Sequence, residues 1–380
     1  MIGSKKIKIA FFLPNLEGGG AERNVVNLLN NLNKEKYDLS IVLGKKEGAF
    51  IGEIPEYVSL VNFGLKSSYS LVLFLKLIKY FRQEKANIFV SAFPRFNIIS
   101  LLARIFSGSK IKIIITEHTT FSFLPLTAKV ISHKLFARFP LPVLIKSIYP
   151  KADAIICVSK GVAIDLCKFI HCLDKIRVVY NPITNQKIKD LAEEEINHPW
   201  FFDSQIPIIL AIGRLAKTKD YPNLIGAFKK ILDKMPANLV ILGEGSEREK
   251  LEKLAYKLGL SNNIAFLGFQ SNIYKYIKRA SVFVLSSLQE GFGNVIIEAM
   301  ACGTPVVSTD CLSGPREIIE HGKNGILVPV ADKEILAMAI INVLNSPELR
   351  NKFSEAGEKR AEHFSIEKSV KEYERIFNTI

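Results

Sequence analysis

The sequence has few of the residues that would indicate disulfide or metal chemistry. Its five cysteines are odd in number and contain no C-x-x-C pair. No D-x-D, the usual carboxylate pair for a metal-held diphosphate, occurs in the 380 residues. These absences argue against a zinc or disulfide framework and favour free thiols in a reducing compartment. The cysteines are Cys157, Cys167, Cys172, Cys302 and Cys311.

Long apolar runs are also missing. No run reaches the roughly 18 residues that cross a bilayer. The start, MIGSKKIKIAFFLP, lacks a small-residue cleavage site, so it predicts a first strand and not a signal peptide. With 48% hydrophobic and 23% charged residues, the composition is typical of a soluble globular protein. At 380 residues the chain exceeds the usual size of one core, so we expect two domains.

Acidic residues are scarce in the first half of the chain. All of the net charge of +14 falls in residues 1–185, which hold 26 Lys and Arg against 12 Asp and Glu. A generally basic proteome, a nucleic-acid partner and an anionic membrane surface each account for such a half.

One segment of this half has no acid at all. Between Glu117 and Asp153, five Lys and Arg residues stand among aromatic and aliphatic side chains. A cationic amphipathic segment favours an anionic membrane surface, whereas no recognisable nucleic-acid motif is present. A helix whose apolar stripe packs on the core is the alternative that stays open. The cations are Lys129, Lys134, Arg138, Lys146 and Lys151.

What the sequence does contain is a glycine-rich stretch at residues 281–308, SVFVLSSLQEGFGNVIIEAMACGTPVVS. Its apolar run Ser281–Leu285 predicts a buried strand. This strand delivers Glu290 and Gly291 to the carboxyl edge of a sheet, where open α/β sheets bind ligands. A solvated turn carboxylate is the plain alternative for Glu290.

The turn continues into a predicted helix. Gly291 and Gly293 let the backbone pass close to a ligand, and Asn294 and Val295 open a helix whose N–H groups and dipole suit a phosphate. Glu298 lies within about two turns of the helix start and can face the same ligand. Its carboxylate can accept two adjacent ribose hydroxyls, or it can simply complement the positive helix end.

The stretch EGFGNVIIEAMACGTPVV, with its E-x7-E spacing, resembles the signature of the retaining, nucleotide-sugar-dependent glycosyltransferases of family 4. The resemblance implies an α/β chain of GT-B architecture, in which two doubly wound Rossmann-like domains face each other across a cleft. We expect an acceptor-binding domain at 1–185, a linker at 186–206 and a nucleotide-sugar-binding domain at 207–363. The C-terminal helix, 364–380, is expected to cross back onto the first domain.

A second glycine-rich turn, NLEGGGAER, follows the predicted first strand Lys8–Leu13. As a G-x-G-x-x-G motif it would indicate a dinucleotide, but position 23 is not the required glycine, so we reject that interpretation. The turn is similar to the family's GGxE element. The resemblance implies donor contacts at Gly19 and Gly20 and acceptor contacts at Glu22 and Arg23.

Apolar patterns place further elements along the chain. The predicted strands include Tyr37–Leu43, Val58–Val61, Ile88–Ala92, Ile111–Thr116, Ala152–Val158, Ile176–Tyr180, Pro207–Gly213, Asn238–Gly243, Ile264–Phe269 and Gly325–Pro329. The predicted helices include Leu71–Lys85, Tyr221–Asp233, Lys333–Asn345 and Pro347–Glu362.

The motif GRLAKTKDYPNLIGAF places Arg214 and Lys219 at a strand-to-helix turn, where their charges can hold a diphosphate without metal. It resembles the family's donor-phosphate element, and the resemblance carries over these two cations. For Lys217 ordinary surface charge is the better interpretation. Many members have Gly where this chain has Asp220, a departure that concerns loop geometry and not charge.

His118 comes just after the predicted strand Ile111–Thr116, at the edge where active sites collect in such sheets. A core or solvated histidine is the alternative. The family places a histidine after this strand at the donor sugar, and TEHTT matches that context. The resemblance therefore implies that His118 positions the sugar or shares proton work.

The remaining donor contacts are also implied by the resemblance. Phe269 and Gln270 are the candidates for the base. Glu290 and the backbone of Gly291, Phe292 and Gly293 would hold sugar hydroxyls, and Glu298 the ribose. Stabilisation of the departing diphosphate would come from Arg214, Lys219 and the amides near Gly293–Val295. The expected catalytic set is His118, Glu290, Arg214 and Lys219.

We therefore expect a retaining, front-face transfer of a hexose or N-acetylhexosamine from a UDP-sugar, with no cofactor and no metal. The expected acceptor is a polyprenyl-diphosphate-linked or polysaccharide glycan at the inner face of the cytoplasmic membrane. A GDP-mannose donor and a soluble acceptor are alternatives within this class. A catalytically silent nucleotide-sugar-binding partner subunit is an alternative of another class, and a nucleic-acid-binding protein is the least favoured.

Overall fold

The computed structural model of the protein describes residues 6–65, 71–83, 86–123, 140–202 and 205–380. The chain divides into two compact units. Met1–Pro182 and Ile366–Ile380 form the first unit, and Ile183–Ser365 form the second. Lys129, Lys134 and Arg138 of the cationic segment lie outside the described residues.

Strands and helices alternate through the described ranges. The strands are β1 (Ile7–Leu13), β2 (Tyr37–Leu43), β3 (Ser59–Asn62), β4 (Ile88–Ala92), β5 (Lys112–Glu117), β6 (Ala154–Cys157), β7 (Ile176–Val178), β8 (Ile208–Ile212), β9 (Asn238–Leu242), β10 (Ile264–Gly268), β11 (Val282–Leu285), β12 (Val306–Thr309) and β13 (Ile326–Val328). The helices are α1 (Gly20–Asn31), α2 (Leu71–Gln83), α3 (Pro94–Ser107), α4 (Leu141–Ile148), α5 (Lys160–Cys167), α6 (Lys187–Ala192), α7 (Tyr221–Leu232), α8 (Arg248–Lys257), α9 (Tyr274–Arg279), α10 (Asn294–Ala301), α11 (Pro315–Ile318), α12 (Lys333–Asn345), α13 (Pro347–Ala361) and α14 (Ile366–Thr379).

The first unit is built on a parallel sheet in the order β3-β2-β1-β4-β5-β6-β7. The chain moves outward from β1 to β3 and then returns to the other side of β1 as β4. The gap between the carboxyl ends of β1 and β4 is therefore the topological switch point, where doubly wound sheets bind ligands. The strands are nearly continuous apolar runs because helices cover both faces of such a sheet.

Helix α14 completes the core of the first unit. Its apolar stripe is buried against strands β1 and β2 and helix α1. The Phe377 ring lies 6.5 Å from the ring of Phe11 and 5.9 Å from that of Tyr37. The hydroxyl of Ser369 donates to the carbonyl of Tyr180 at 2.8 Å. The stripe consists of Ile366, Val370, Tyr373, Ile376 and Phe377.

The second unit repeats the same topology. Its parallel sheet has the order β10-β9-β8-β11-β12-β13, so the switch point lies between β8 and β11. Helices α7 and α12 pack on the sheet through a core of buried aliphatic residues. The predicted α/β class with two doubly wound, Rossmann-like domains is confirmed.

The region predicted as a linker, residues 186–206, is part of the second unit. It contains α6, and two side chains of the second unit hold this helix by its carboxyl end. Asn272 donates to the carbonyl of Leu191 at 2.8 Å, and Arg279 donates to that of Ala192 at 3.1 Å. The three consecutive glutamates 193–195, on which the linker prediction depended, directly follow this helix.

Two further findings concern the cysteines and the length of the apolar helices. All five cysteines are free thiols, as expected. Within the described ranges, no helix combines the length and the apolar character that a membrane crossing requires.

Candidate active site

The switch point of the second sheet brings a cation and a carboxylate together. Lys219 ends the turn that follows β8, and Glu290 lies in the turn that follows β11. The Nζ of Lys219 lies 2.5 Å from Oε1 of Glu290, and the same oxygen accepts the hydroxyl of Ser287 at 2.6 Å. Both charged side chains are largely shielded, with exposures of 21% and 11%. This pair stands immediately ahead of helix α10.

Hydrogen bonds join the loops that carry this pair. The Ser286 hydroxyl donates to the carbonyl of Lys219 at 2.8 Å, and the Leu288 amide donates to that of Thr218 at 2.9 Å. The Thr309 hydroxyl, at the end of β12, donates to the carbonyl of Ser287 at 2.6 Å. The ends of three strands therefore hold the pair in one place.

The turn before α10 rests on a second loop. Gly314 has φ 84°, and a Cβ at this position would lie 2.1 Å from the carbonyl oxygen of Phe292. The neighbouring Ser313 hydroxyl donates to the carbonyl of Glu290. Gly293 caps α10 with φ 96°, a conformation that glycine adopts without strain. The loop after β12, through Ser313 and Gly314, therefore fixes the backbone of the turn that leads into α10 at Asn294.

Phe292 was expected among the sugar contacts, but its side chain is buried. It is 3% exposed, and its ring lies 5.5 Å from that of Phe364. Only the backbone of Phe292 is therefore expected to contact a ligand.

Glu298 is buried in the second turn of α10, with 7% exposure. The hydroxyl of Tyr274, at the start of α9, lies 3.3 Å from its Oε1. Tyr274 was not predicted as a site residue.

The base candidates lie at the end of β10. Phe269 is 47% exposed, which leaves its ring open to stacking. Gln270 is held in place, because its amide donates to the carbonyl of Leu267 at 2.8 Å and its Oε1 accepts the hydroxyl of Tyr276 at 3.1 Å.

Arg214 and Asp220 bracket the turn after β8. Arg214 is exposed, and its guanidinium forms no ion pair with a described residue. Asp220 adopts φ 46° and ψ 45°, the left-handed conformation that favours glycine and that Asp tolerates better than most residues. The departure from Gly at this position therefore preserves the turn.

The glycine turn of the first unit begins α1 at the carboxyl end of β1. A Cβ on Gly19, the N-cap, would lie 2.3 Å from Oε2 of Glu22, so the buried Glu22 carboxylate folds back over this glycine. A Glu at the third helical position commonly reaches back to the helix start in this way. Gly20 is the first, exposed residue of the helix.

Arg23 is engaged within the first unit. Its guanidinium forms an ion pair with Glu53 and lies 3.8 Å from the centroid of the Phe50 ring. These contacts orient the side chain. Acceptor binding by Glu22 and Arg23 stays a prediction.

His118 follows β5 and is half-buried. Its Nε2 lies 3.0 Å from the hydroxyl of Thr116, and its ring centroid lies 5.9 Å from that of Phe93. Desolvation lowers the pKa of His118 to about 4, so the imidazole is neutral at pH 7.

Phe93 stands beside His118 with a strained backbone. It follows β4 and has φ 73° and ψ 138°, a region that bulky residues avoid. Such a conformation costs about 1–3 kcal/mol and occurs mainly at functional sites. Phe93 thus marks the carboxyl end of β4, one of the two strands at the switch point, as part of the candidate site.

A buried carboxyl group lies directly before His118. Glu117 is fully buried, and its Oε1 accepts Tyr149 at 2.5 Å and Asn97 at 2.7 Å. Its Oε2 has no partner among the described residues. Burial raises the pKa of Glu117 to about 8, although the hydrogen bonds from Tyr149 and Asn97 act to lower it.

Several of these residues were missed from the sequence: Phe93, Thr116, Glu117, Tyr274, Ser287 and Ser313. Most share a signal, because they stand within a few residues of the end of a strand or at the end of the strand itself. Among the described side chains, no three His, Cys, Asp or Glu residues gather as metal ligands would.

Two doubly wound, Rossmann-like sheets in one chain fit the GT-B architecture of glycosyltransferases. The chain belongs to glycosyltransferase family 4: a family model described as "Glycosyltransferase Family 4" matches residues 18–187, and one described as "Glycosyl transferases group 1" matches residues 192–360. The resemblance stated from the sequence is confirmed.

Two similar proteins come from Campylobacter jejuni. One, named N-acetylgalactosamine-N,N'-diacetylbacillosaminyl-diphospho-undecaprenol 4-alpha-N-acetylgalactosaminyltransferase, is 34% identical over 367 residues, covering 94% of this chain and 95% of the relative. The other, GalNAc-alpha-(1->4)-GalNAc-alpha-(1->3)-diNAcBac-PP-undecaprenol alpha-1,4-N-acetyl-D-galactosaminyltransferase, is 27% identical over 380 residues, covering 97% and 98%.

Solved structures share the fold. Anabaena HepE, crystallised with UDP and glucose, superposes with a TM-score of 0.78 at 18% identity, covering 98% of this chain and 100% of that chain. A glycosyltransferase from Rickettsia africae superposes with a TM-score of 0.76 at 21% identity, covering 99% and 100%.

Proposed function

We propose that this glycosyltransferase moves an N-acetylhexosamine or hexose from a UDP-sugar, with retention at the anomeric carbon, to a polyprenyl-diphosphate-linked glycan. The observation that carries the proposal is the ion pair of Lys219 and Glu290, whose turn leads into α10, together with the buried Glu298 inside α10. The names of the two relatives, both N-acetylgalactosaminyltransferases acting on undecaprenol diphosphate glycans, support the choice of sugar and acceptor.

The diphosphate would be held by charge. Lys219 has three N–H donors, so it can bind Glu290 with one and phosphate oxygens with the others. Arg214 is exposed on the same turn, and the N-terminus of α10 adds the positive end of the helix dipole. These groups would stabilise the negative charge that develops as the diphosphate departs.

In this proposal, the bond between the anomeric carbon and the phosphate oxygen breaks while the acceptor hydroxyl oxygen bonds to the same face of the carbon. The hydroxyl proton passes to the departing phosphate oxygen. Glu290 and His118 would bind sugar hydroxyls and Glu298 the ribose. No described side chain is needed as a covalent nucleophile.

The first experiment measures release of nucleoside diphosphate from UDP- and GDP-sugars in the presence of a membrane lipid extract and excess EDTA. We expect release from a UDP-N-acetylhexosamine without added metal. Glu298→Ala should raise the donor KM by about ten- to a hundredfold, because charge-assisted hydrogen bonds to the ribose are lost. Glu249→Ala, which removes an exposed carboxylate of α8, is the control.

An unchanged donor KM in Glu298→Ala would contradict the ribose role. Activity that EDTA abolishes and Mn²⁺ restores would contradict metal independence. No release from any nucleotide-sugar would favour the silent partner subunit.

We also propose that the first unit binds an anionic membrane surface. Helices α2 and α3 present exposed apolar residues, 49% to 58% exposed, beside exposed cations. Between Glu56 and Glu117 the sequence contains a single acid, Glu84. Apolar burial and attraction to anionic lipid together give interfacial binding. The apolar patch consists of Val72, Leu75, Ile105 and Phe106, flanked by Lys79 and Arg82.

This proposal predicts co-sedimentation with anionic liposomes that weakens as salt is added. The double substitution Leu75→Glu and Phe106→Glu should leave the protein in the supernatant, because it places two carboxylates in the patch. Ile164→Glu changes an exposed apolar residue of α5 and should bind like the unaltered protein. Equal recovery in the supernatant with and without liposomes at low salt would refute membrane binding.

A further inference from the structure

The chemistry of His118 depends on which ring nitrogen carries the proton. The neutral imidazole has one N–H donor and one acceptor nitrogen, and the tautomer is set by the partner of either nitrogen. The partner that decides it here is the Thr116 hydroxyl, 3.0 Å from Nε2.

Thr116 is itself tied to the sheet. Its hydroxyl donates to the carbonyl of Ser91 at 3.2 Å, and the side chain is 4% exposed. The carbonyl is in reach because β4 and β5 pair in parallel, with Ala92 opposite Thr116. Thr116 lies in β5 and His118 directly follows the strand, and the 3.0 Å contact shows that the two side chains meet on the same side of the chain.

A hydroxyl has one proton to give and two lone pairs. With its proton on the Ser91 carbonyl, the Thr116 oxygen can only accept from the imidazole. Nε2 must then carry the hydrogen, and Nδ1 is left as the acceptor. The ring of Phe93 borders the imidazole, with 5.9 Å between the two ring centroids.

We propose that Thr116 is a positioning residue that holds His118 as the Nε2–H tautomer, so that Nδ1 accepts a hydrogen bond from a hydroxyl group of the sugar substrate. The tautomer stands on the geometry of the first unit alone. The ligand of Nδ1 rests on the proposed function.

The tautomer is tested by ¹⁵N NMR of the full chain labelled in its six histidines. The His118 signals are assigned from the spectrum of His118→Asn. We expect, at neutral pH, a protonated, pyrrole-type Nε2 and a bare, pyridine-type Nδ1. A protonated Nδ1 in the unaltered protein overturns the proposal, whatever the variants do.

Two variants test the role of the hydroxyl. Thr116→Val removes it and should give a mixture of tautomers, whereas Thr116→Ser keeps it and should preserve the Nε2–H form. An unchanged tautomer in a folded Thr116→Val protein means that Thr116 does not set it. If Thr116→Val fails to fold, the spectra of the unaltered protein and of Thr116→Ser still test the proposal, because both must show the Nε2–H tautomer.

The ligand of Nδ1 is tested by kinetics. Thr116→Val should weaken binding of the nucleotide-sugar about three- to tenfold, the value of one hydrogen bond, and Thr116→Ser should restore it. His118→Asn, which places an amide near the position of Nδ1, should retain more affinity than His118→Gln, which places one near Nε2. The reverse order overturns the Nδ1 contact. Correct tautomers in a protein that releases no nucleotide would refute the proposed function and leave the role of Thr116 standing.

Discussion

Glu117 and His118 are neighbours in sequence, and burial shifts their pKa values in opposite directions. Desolvation disfavours the charged form of each, so the pKa of Glu117 rises to about 8 and that of His118 falls to about 4. Both side chains are therefore mainly neutral at pH 7. The end of β5 offers hydrogen-bonding groups to its surroundings without the cost of a buried charge.

Glu117 predicts a specific dependence of stability on pH. Its pKa is about 8 in the folded chain, against an ordinary value of 4.5, so the unfolded chain loses this proton first and stability falls as the pH rises between these values. Glu117→Gln removes the ionisation, keeps an oxygen for Asn97 and Tyr149, and replaces the unpartnered Oε2 by an amide. We expect its Tm to fall less than that of the unaltered protein between about pH 5 and pH 8.

The control for this measurement is Glu249→Gln, which changes an exposed carboxylate of α8. Its Tm should follow that of the unaltered protein over the same pH range. Parallel curves for Glu117→Gln and the unaltered protein would show that Glu117 does not titrate in this window.

At the level of elements, the loop after β12 supports the turn that holds Glu290. Gly314→Ala would place a methyl group 2.1 Å from the Phe292 carbonyl oxygen, in a backbone with φ 84°. The turn has to move, and the Ser313 bond to the Glu290 carbonyl moves with it. We expect a large rise in donor KM, together with about 1–3 kcal/mol lower stability.

Gly322→Ala is the matched control. This glycine also has a left-handed backbone, with φ 74°, but a Cβ there meets nothing within 4 Å. It should lose about 1–2 kcal/mol of stability from the backbone alone and keep its affinity for the nucleotide-sugar. Equal kinetic effects of the two substitutions would contradict the supporting role of the loop.

Elements with a simple apolar pattern could be predicted from the sequence. The bounds of β2, β4 and α12 agree with the predicted Tyr37–Leu43, Ile88–Ala92 and Lys333–Asn345. Helix α3 was missed, although Pro94 at its start and the left-handed Gly108 after its end are helix signals. Its apolar residues are buried around much of its circumference, so they form no single stripe.

The site could be predicted only in part. The sequence indicated that Lys219 and Glu290 belong to one site, because each follows a strand at the same edge of a doubly wound sheet. It did not reveal their direct ion pair, because contacts between residues 71 positions apart depend on strand order and on the bonds of Ser286 and Ser287. The contact of Thr116 with the Ser91 carbonyl depends in the same way on strand register.

At the scale of the molecule, each unit has its own core, and α14 belongs to the first. Phe377 is 3% exposed and contacts Phe11, Tyr37 and Tyr373. Phe377→Ala should lower the stability of the first unit by about 3–5 kcal/mol, because it leaves a cavity in that core. Calorimetry of the full chain should show one of two unfolding transitions shifted downward.

Phe353→Ala is the counterpart in the second unit, where Phe353 is 1% exposed in the core. It should shift the other transition and leave the first in place. If both substitutions lowered the same transition equally, the two units would not unfold independently.

The membership of α14 in the first unit sets an order for biosynthesis. The ribosome translates the whole of Ile183–Ser365 before it reaches the segment that covers β1 and α1. A nascent chain halted at residue 365 would contain all residues of the second unit, so that unit could fold. The first unit would still lack α14, and its exposed apolar surface would promote aggregation. The segment translated after residue 365 therefore completes a unit whose other residues were translated before the second unit.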